Sequence, residues 1–321
     1  MKIYPYIASV LIALFALIPP IIIIIPNPSF NIWVMMIVIS GFLGFLTLFL
    51  NTNIFIKILS IGGFINCFFS CVPHECFTSY VSLLACCYFY ILCSKVKNWN
   101  LIYKTVLCIV IYNLFFMSMQ FLGKDSLLNF GLGKGISEHG IMGSRMQLES
   151  FLLNCLVLLM VIKGINKKWF KNYILGLFLL SFVLILCIYT NPIIHNPLSS
   201  RFPVWLATIK LANQHPLMGW GIGSFKCIFP ALSGIRNSGL PWKEAHNDFL
   251  QILFETGYTG LAVMLSIVGV LIYKLRKNII LLIGLGLICV DMSIHFPIRV
   301  GNTVLILICF LAYCETKIKE A

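Results

Sequence analysis

Apolar residues along the chain fall into blocks of roughly 17–25, each long enough to cross the hydrocarbon core of a bilayer. Short polar breaks separate them. Ten blocks read as helical spans: 5–25, 31–50, 54–72, 77–94, 102–122, 146–163, 171–190, 251–273, 278–296 and 301–315. The run from Ile3 to Ile25 is too long for a signal-peptide core and lacks a small-residue cleavage site, so it reads as a retained first span. Most connections are short, but 123–145 and 191–250 are not. The first is rich in Gly and Ser and reads as irregular. In the second, Ser199 or Ser200 is placed to cap a helix, with Pro203 tolerated in its first turn. Trp205, Leu206, Ile209 and Leu211 or Ala212 then line one apolar face, and Pro216 with the glycines after it ends the helix. That pattern predicts an amphipathic helix at the membrane interface. The expected fold is an all-α integral membrane protein, one polytopic domain over 1–321. It has about ten transmembrane helices and a long outward loop at 191–250 that holds short amphipathic helices.

Composition strengthens this reading. The chain is 60% hydrophobic and only 10% charged, whereas a soluble domain carries about 25% charged residues. A net charge of +13 would suit nucleic acid, but its distribution argues otherwise. Fourteen of the 23 basic residues fall at the N-terminus, at the C-terminus and on alternate connections. They are Lys2, Lys57, Lys95, Lys97, Lys104, Lys163, Lys167, Lys168, Lys171, Lys274, Arg276, Lys277, Lys317 and Lys319. Cytoplasmic connections carry this excess. The parity puts both termini in the cytosol, so the basic balance is topology and no nucleic-acid partner is expected. Most of the 13 cysteines lie in predicted spans, where Cys acts as a small apolar residue. No disulfide framework is expected, although Cys71 and Cys76 are placed to meet near the outer surface.

The outer side has a distinct inventory. It holds the other nine basic residues, among them four of the five arginines: Arg145, Arg201, Arg236 and Arg299. All six histidines also fall on or near it. Arg suits bidentate phosphate binding, and His suits proton transfer near neutral pH. Arg299 or Lys124 alone reads first as a span-end anchor. Arg201, beside a helix start inside the long loop, reads first as a ligand. His74 and His195 read as solvated. His246 differs: Glu244 and Asp248 flank it, and an apolar segment follows at once.

Several chemistries fall away. Zinc needs three or four ligands at recognisable spacing, and none is present, so no metal is expected. "GWGIGSF" fits only part of a dinucleotide fingerprint and follows no strand. Gly219, Gly221 and Gly223 read instead as a tight turn allowing close backbone approach. No nucleophile elbow appears. What remains is an imidazole base with several arginines at the outer membrane surface. That set suits transfer of a group from a phosphate-activated lipid, with arginine stabilising charge on the leaving diphosphate. No cofactor is needed, because the donor carries its own activation.

"SRFPVWLATIKLANQHPLMGWGIGSF" followed by "EAHNDFLQILFETGYTGL" resembles the signature of the O-antigen ligase and polymerase superfamily. Arg201, Trp205, Pro216, Gly219, Gly221, Gly223, Phe225, His246, Asn247, Leu250, Glu255 and Gly257 fill its places in order, within about 199–265. "HFPIRV" at 295–300 resembles a polar, Pro-containing patch of a late span. "EHGIMGSRMQL" departs from the usual Asn-containing form of the middle spans. The resemblance implies an inverting, metal-independent glycosyltransferase of the bacterial cytoplasmic membrane, active on the extracytoplasmic face, for lipopolysaccharide or other polysaccharide biosynthesis. Its donor is an undecaprenyl-diphosphate-linked glycan, and its acceptor a hydroxyl of lipid A core, a glycan or a protein. On this reading His246 is the base, oriented by Glu244 or Asp248. Arg201 and Arg145, with Arg299 and Arg236 behind them, bind the donor diphosphate. Pro216, Gly219, Gly221, Gly223, Asn247 and Glu255 shape the loop. Two alternatives stay open: a repeat-unit polymerase of the same superfamily, and a non-catalytic transporter of the lipid-linked glycan. A transporter needs ionisable groups along its pore, whereas here only scattered groups such as Asp291 approach a span interior.

Overall fold

The structure, a computed structural model, describes residues 6–7, 9–10, 54–121, 145–164, 197–237 and 240–320. Among these the chain is helical, apart from one two-residue antiparallel ladder. The helices are α1 (Ile54–Phe68), α2 (Pro73–Ser94), α3 (Asn100–Phe121), α4 (Arg145–Lys163), α5 (Pro197–Ala212), α6 (Phe225–Ser233), α7 (Asp248–Leu275), α8 (Ile279–Ile294) and α9 (Gly301–Glu320), with a 3₁₀ turn at Pro297–Arg299. In the ladder, β1 (Arg236–Asn237) pairs with β2 (Leu240–Pro241), Arg236 opposite Pro241. Seven predicted spans coincide with α1–α4 and α7–α9. The predicted spans 31–50 and 171–190, and nearly all of 5–25, lie outside the described residues. Among the described residues, Glu75–Ser94, Asp248–Leu275 and Gly301–Glu320 are long and apolar enough to cross a membrane. Three shorter apolar helices join them: Ile56–Phe68, Asn100–Phe115 and Ile279–Ile294.

Contacts divide the chain into two compact units. The first is Met1–Leu159 with Gly221–Gly223 and Pro297–Ala321; the second is Met160–Trp220 with Ser224–Phe296. In the first, α9 packs on α2, and α1 also packs on α2. The Tyr90 hydroxyl donates to Glu315 at 2.6 Å, and the Trp99 and Tyr313 rings meet edge to face at 5.2 Å. Buried Ile102, Val106, Ile109 and Val110 of α3 recur at helical spacing. The described cysteines are free thiols, and Cys76 faces Cys67, the sulfurs 3.5 Å apart, while Cys71 is exposed.

The second unit carries the motif-rich loop. Its core is Val204, Leu211, Phe225, Phe229, Trp242, Ala245 and Phe254, with Trp220 packed against it. The predicted loop helix is α5, but it starts at Pro197 and holds Pro203 in its interior. Its buried line is Arg201, Val204, Thr208, Leu211 and Ala212, one face at i, i+3, i+4 spacing. Leu206 and Ile209, expected on the apolar face with Trp205, are exposed. The inward face is decided by anchoring as well as hydropathy: the Trp205 indole donates to the Ala245 carbonyl at 2.9 Å, and the Trp220 indole to the Leu211 carbonyl at 3.0 Å.

α7 breaks in the middle. Gly257 has φ +68° and ψ −170° within an otherwise helical run. A continuous helix would give the Tyr258 N–H to the Phe254 carbonyl. Here the Tyr258 N–H donates to the Pro216 carbonyl at 2.7 Å, and the Phe254 carbonyl accepts from Trp220 N–H at 3.0 Å. The Thr259 hydroxyl adds a bond to the Leu217 carbonyl at 2.5 Å. One helical bond is thus exchanged for contacts to the Pro216–Trp220 turn. Both sides of the contact need glycine. A Cβ on Gly257 would lie 2.4 Å from the Leu217 oxygen, and one on Gly219 2.4 Å from the Glu255 carbonyl carbon.

Candidate active site

The site is assembled where α5, the 241–247 segment, and the ends of α7 and α8 meet, all within the second unit. Asn247 begins it. Its backbone is extended, and its side-chain oxygen caps α7 by accepting the Leu250 N–H at 3.0 Å. Its amide donates to the Ser293 carbonyl at 2.9 Å. The next carbonyl of α8, Ile294, accepts from the Arg201 guanidinium. Two orphan carbonyls at the C-terminus of α8 are thereby satisfied, and Arg201 places a cation at the negative end of that helix. Arg201 is buried. A buried guanidinium is costly unless its charge and N–H groups are met.

His246 immediately precedes the cap. It has φ +53°, the one non-glycine residue with positive φ among the described residues; such a conformation costs roughly 1–3 kcal/mol. Its ring stands edge-on to Trp242 at 5.2 Å and to Phe296 at 4.7 Å. Its Nδ1 is buried and has no hydrogen-bond partner among the described residues. Burial first, then the positive charge of Arg201, then that of His295, lower its pKa to about 3. At neutral pH the imidazole is uncharged.

The flanking carboxylates are engaged elsewhere. The buried Gln251 amide donates to Glu244 and, at 3.3 Å, to Glu255, while its oxygen accepts the Ala245 N–H at 2.9 Å. The His246 Nδ1 makes no hydrogen bond to Glu244 or Asp248; Asp248 is buried in the first turn of α7. Glu255 belongs to the Gln251 network. Asn247, Gln251 and Glu255 recur every four residues and share one helix face, a polar stripe that the spacing alone could have revealed.

Another pair sits at the end of α8. His295 Nδ1 lies 2.7 Å from Asp291 Oδ1, with the carboxylate fully buried and the imidazole 14% exposed. Its neighbours in sequence touch the site directly, Ile294 through Arg201 and Phe296 through His246. The sequence showed Asp291 and His295 at i, i+4, but hydropathy absorbed both into a span.

The remaining expected residues are spread more widely. Pro216 and Gly219 form the turn against Gly257 and Glu255. Gly221 and Gly223 group with the first unit, where they lie against Ser70 and Ser79, and the Ile222 N–H donates to Asn66 at 2.7 Å. Arg236 is exposed on the ladder. Arg299, in the 3₁₀ turn, belongs to the first unit. Arg145 is the first residue of α4, and its side chain lies outside what the structure describes. Among the described residues no group of three or more His, Cys, Asp or Glu is placed to hold a metal ion.

Residues 77–265, more than half of the chain, match the family described as O-antigen ligase. The chain belongs to the O-antigen ligase family. No curated protein and no solved structure matches it. The O-antigen ligase match includes Arg201, His246, the Pro216–Gly223 turn and Gly257, and it ends before α8. The family and the apolar helices together make this a membrane protein with an O-antigen ligase-like function.

Proposed function

We propose that this O-antigen ligase family member transfers an oligo- or polysaccharide from an undecaprenyl-diphosphate-linked donor to an acceptor hydroxyl on the extracytoplasmic face of the bacterial cytoplasmic membrane, with inversion and without a metal. The observation that carries this reading is the juxtaposition of a buried guanidinium, Arg201, with an uncharged imidazole, His246. A cation near an imidazole with an unpartnered nitrogen suits an anionic leaving group beside a hydroxyl nucleophile. Arg201 is the proposed diphosphate ligand, and Arg145, Arg236 and Arg299 are further candidates. The proton acceptor is an imidazole of this corner. Two more features support the reading. An apolar groove lined by Phe249, Leu265, Val268, Leu285 and Cys289 reaches Ser293, where a lipid tail would lie. The basic turn Lys274–Lys277 sits at the opposite end of the α7–α8 hairpin, the end that belongs in the cytosol.

His246→Ala is expected to abolish surface glycan transfer on a gel while the blotted protein level stays normal. Arg201→Lys keeps the charge but loses the fork, and transfer is expected to fall at least tenfold. Normal glycan in both variants at normal expression would remove this corner from the reaction. A repeat-unit polymerase would use the same donor chemistry. Deletion separates the two: loss of a polymerase leaves single repeats on the core, and loss of a ligase leaves bare core with polymer still on its carrier.

A further inference from the structure

The end of α1 and the start of α2 bring two thiols together. Cys67 lies in the last turn of α1 and Cys76 in the first turn of α2, joined by the short connection Phe69–Val72. The fully buried Cys76 thiol lies 3.5 Å from the Cys67 sulfur and faces the Asn66 side-chain oxygen at 3.7 Å. Cys67 is half-buried and donates to the Gly63 carbonyl at 3.4 Å. Sulfurs in a disulfide lie about 2.05 Å apart, so a closure of about 1.5 Å would join these two. The same helix ends form a seat. The Asn66 oxygen accepts the Ile222 N–H at 2.7 Å, and a Cβ on Gly221 or Gly223 would run into Ser70 or Ser79. The Gly221–Gly223 turn thus rests on the two helix ends that the cysteines approach, all within the first unit.

Basic residues set the side. Lys57 lies at the far end of α1, and Lys95 and Lys97 follow α2; cytosolic ends carry such an excess. The Phe69–Val72 connection then faces outward, where thiols meet an oxidising compartment. A second close pair supplies the contrast. The Cys93 and Cys309 sulfurs are 3.9 Å apart, but both residues are fully buried, and Cys93 lies at the opposite end of α2.

Resting on that outward topology, we propose that Cys67 and Cys76 form a disulfide that braces the seat of the Gly221–Gly223 turn. The oxidant is a protein disulfide of the thiol–disulfide oxidoreductase class. Burial sets the order of attack. Cys67, the accessible thiol, bonds to one oxidant sulfur; the oxidant disulfide breaks, and its other sulfur leaves with the electron pair and takes the Cys67 proton. Cys76 then attacks the Cys67 sulfur from the buried side. The remaining oxidant sulfur leaves with its electron pair and takes the Cys76 proton. Two protein thiols and one oxidant disulfide become one protein disulfide and two oxidant thiols. Cys76 gives up its contact with Asn66, and the Ile222 N–H keeps that acceptor. If the two cysteines served only as small apolar packing, both would stay free thiols and the turn would not respond to their redox state.

Mass spectrometry decides the covalent step. Bacterial membranes holding the full chain are quenched in acid, denatured and alkylated with N-ethylmaleimide before digestion. Most of the protein is expected to yield a Cys67–Cys76 linked peptide that reduction separates, with Cys93 and Cys309 alkylated throughout. Free Cys67 and Cys76, or a link from Cys71 to Cys76, would overturn the proposal. Exposed Cys71 reports the side independently. A membrane-impermeant maleimide is expected to label it on intact spheroplasts. Labelling only after lysis would sink the topology, and the disulfide with it. Labelling on intact spheroplasts with Cys67 and Cys76 still free would keep the topology and sink the disulfide alone. Hydrogen exchange on the purified chain tests the brace. The Ile222 amide is expected to exchange roughly tenfold faster after reduction, and as fast in Cys67→Ser with or without reductant. Equal exchange in oxidised and reduced wild type would overturn the bracing of the turn.

Discussion

The two halves of α7 belong to one helical run and have opposite surroundings. Before Gly257, the helix buries Asp248, Gln251, Leu253, Phe254 and Glu255 against protein, and its polar stripe holds the loop that carries His246. After Gly257, from Tyr258 to Leu275, side chains such as Leu265, Ile272 and Tyr273 are exposed, and the 18 residues rise about 27 Å, close to the thickness of a hydrocarbon core. One half packs against protein, and the other carries exposed apolar side chains over a length that suits a span. The difference teaches that an apolar run reports where a chain is dry, not what keeps it dry. Protein can do it, and so can lipid.

The sharpest way to break the distinction is Gly257→Val. The left-handed φ and the contact with the Leu217 oxygen leave no room for a β-carbon, so the variant should lose roughly 3 kcal/mol or more in detergent unfolding. A variant that melts like the wild type would mean that the two halves are one continuous helix. Gln251→Leu comes next. It removes the hydrogen bonds that Gln251 makes with the Ala245 N–H, Glu244 and Glu255, a loss of about 2–3 kcal/mol. A neutral outcome would show that the stripe is not what supports the loop.

A pH series sharpens the site half further. The folded pKa of His246 lies below that of the unfolded chain, so the unfolded state takes the proton first as pH falls. Stability is therefore full above about pH 6.5 and declines below it, by about 1.4 kcal/mol per pH unit, until the folded pKa near 3. His246→Asn should flatten that decline between pH 6.5 and 5, and an equally steep curve would place the acid sensitivity elsewhere. The smallest effect is expected in the spanning half, where Leu265→Ala should change stability by about 0.5 kcal/mol or less. A loss as large as that of Gln251→Leu would show that this face packs on protein.

The break itself was not visible in the sequence. "FETGYTG" falls inside the span predicted at 251–273, because hydropathy averages over residues and says nothing about which carbonyl accepts which N–H. The bond that replaces Tyr258 N–H to Phe254 comes from Pro216, 42 residues earlier in the chain. The same limit hid the end of α8, which is held by Asn247 and Arg201 from distant segments. Arg201 and His246 were legible because a charge and an imidazole stand out against apolar sequence whatever they touch, whereas Asn247 was named only through the family resemblance and its cap on α7 was not. The inward face of α5 was not legible for a different reason. Leu206 and Ile209 are as apolar as Val204 and Leu211, and only the anchoring of Trp205 on Ala245 turns one line inward.

The exchange of hydrogen bonds at Gly257 also acts as a mechanical joint. The segment below it is fastened to the Pro216–Trp220 turn at Tyr258 and Thr259, and the segment above it to the same turn through the Phe254 carbonyl. Bilayers differ in thickness, and a spanning helix answers by tilting. With a glycine pivot at this depth, such tilting falls on Tyr258–Leu275, and the angle between His246 and Arg201 is insulated from the thickness of the lipid around it.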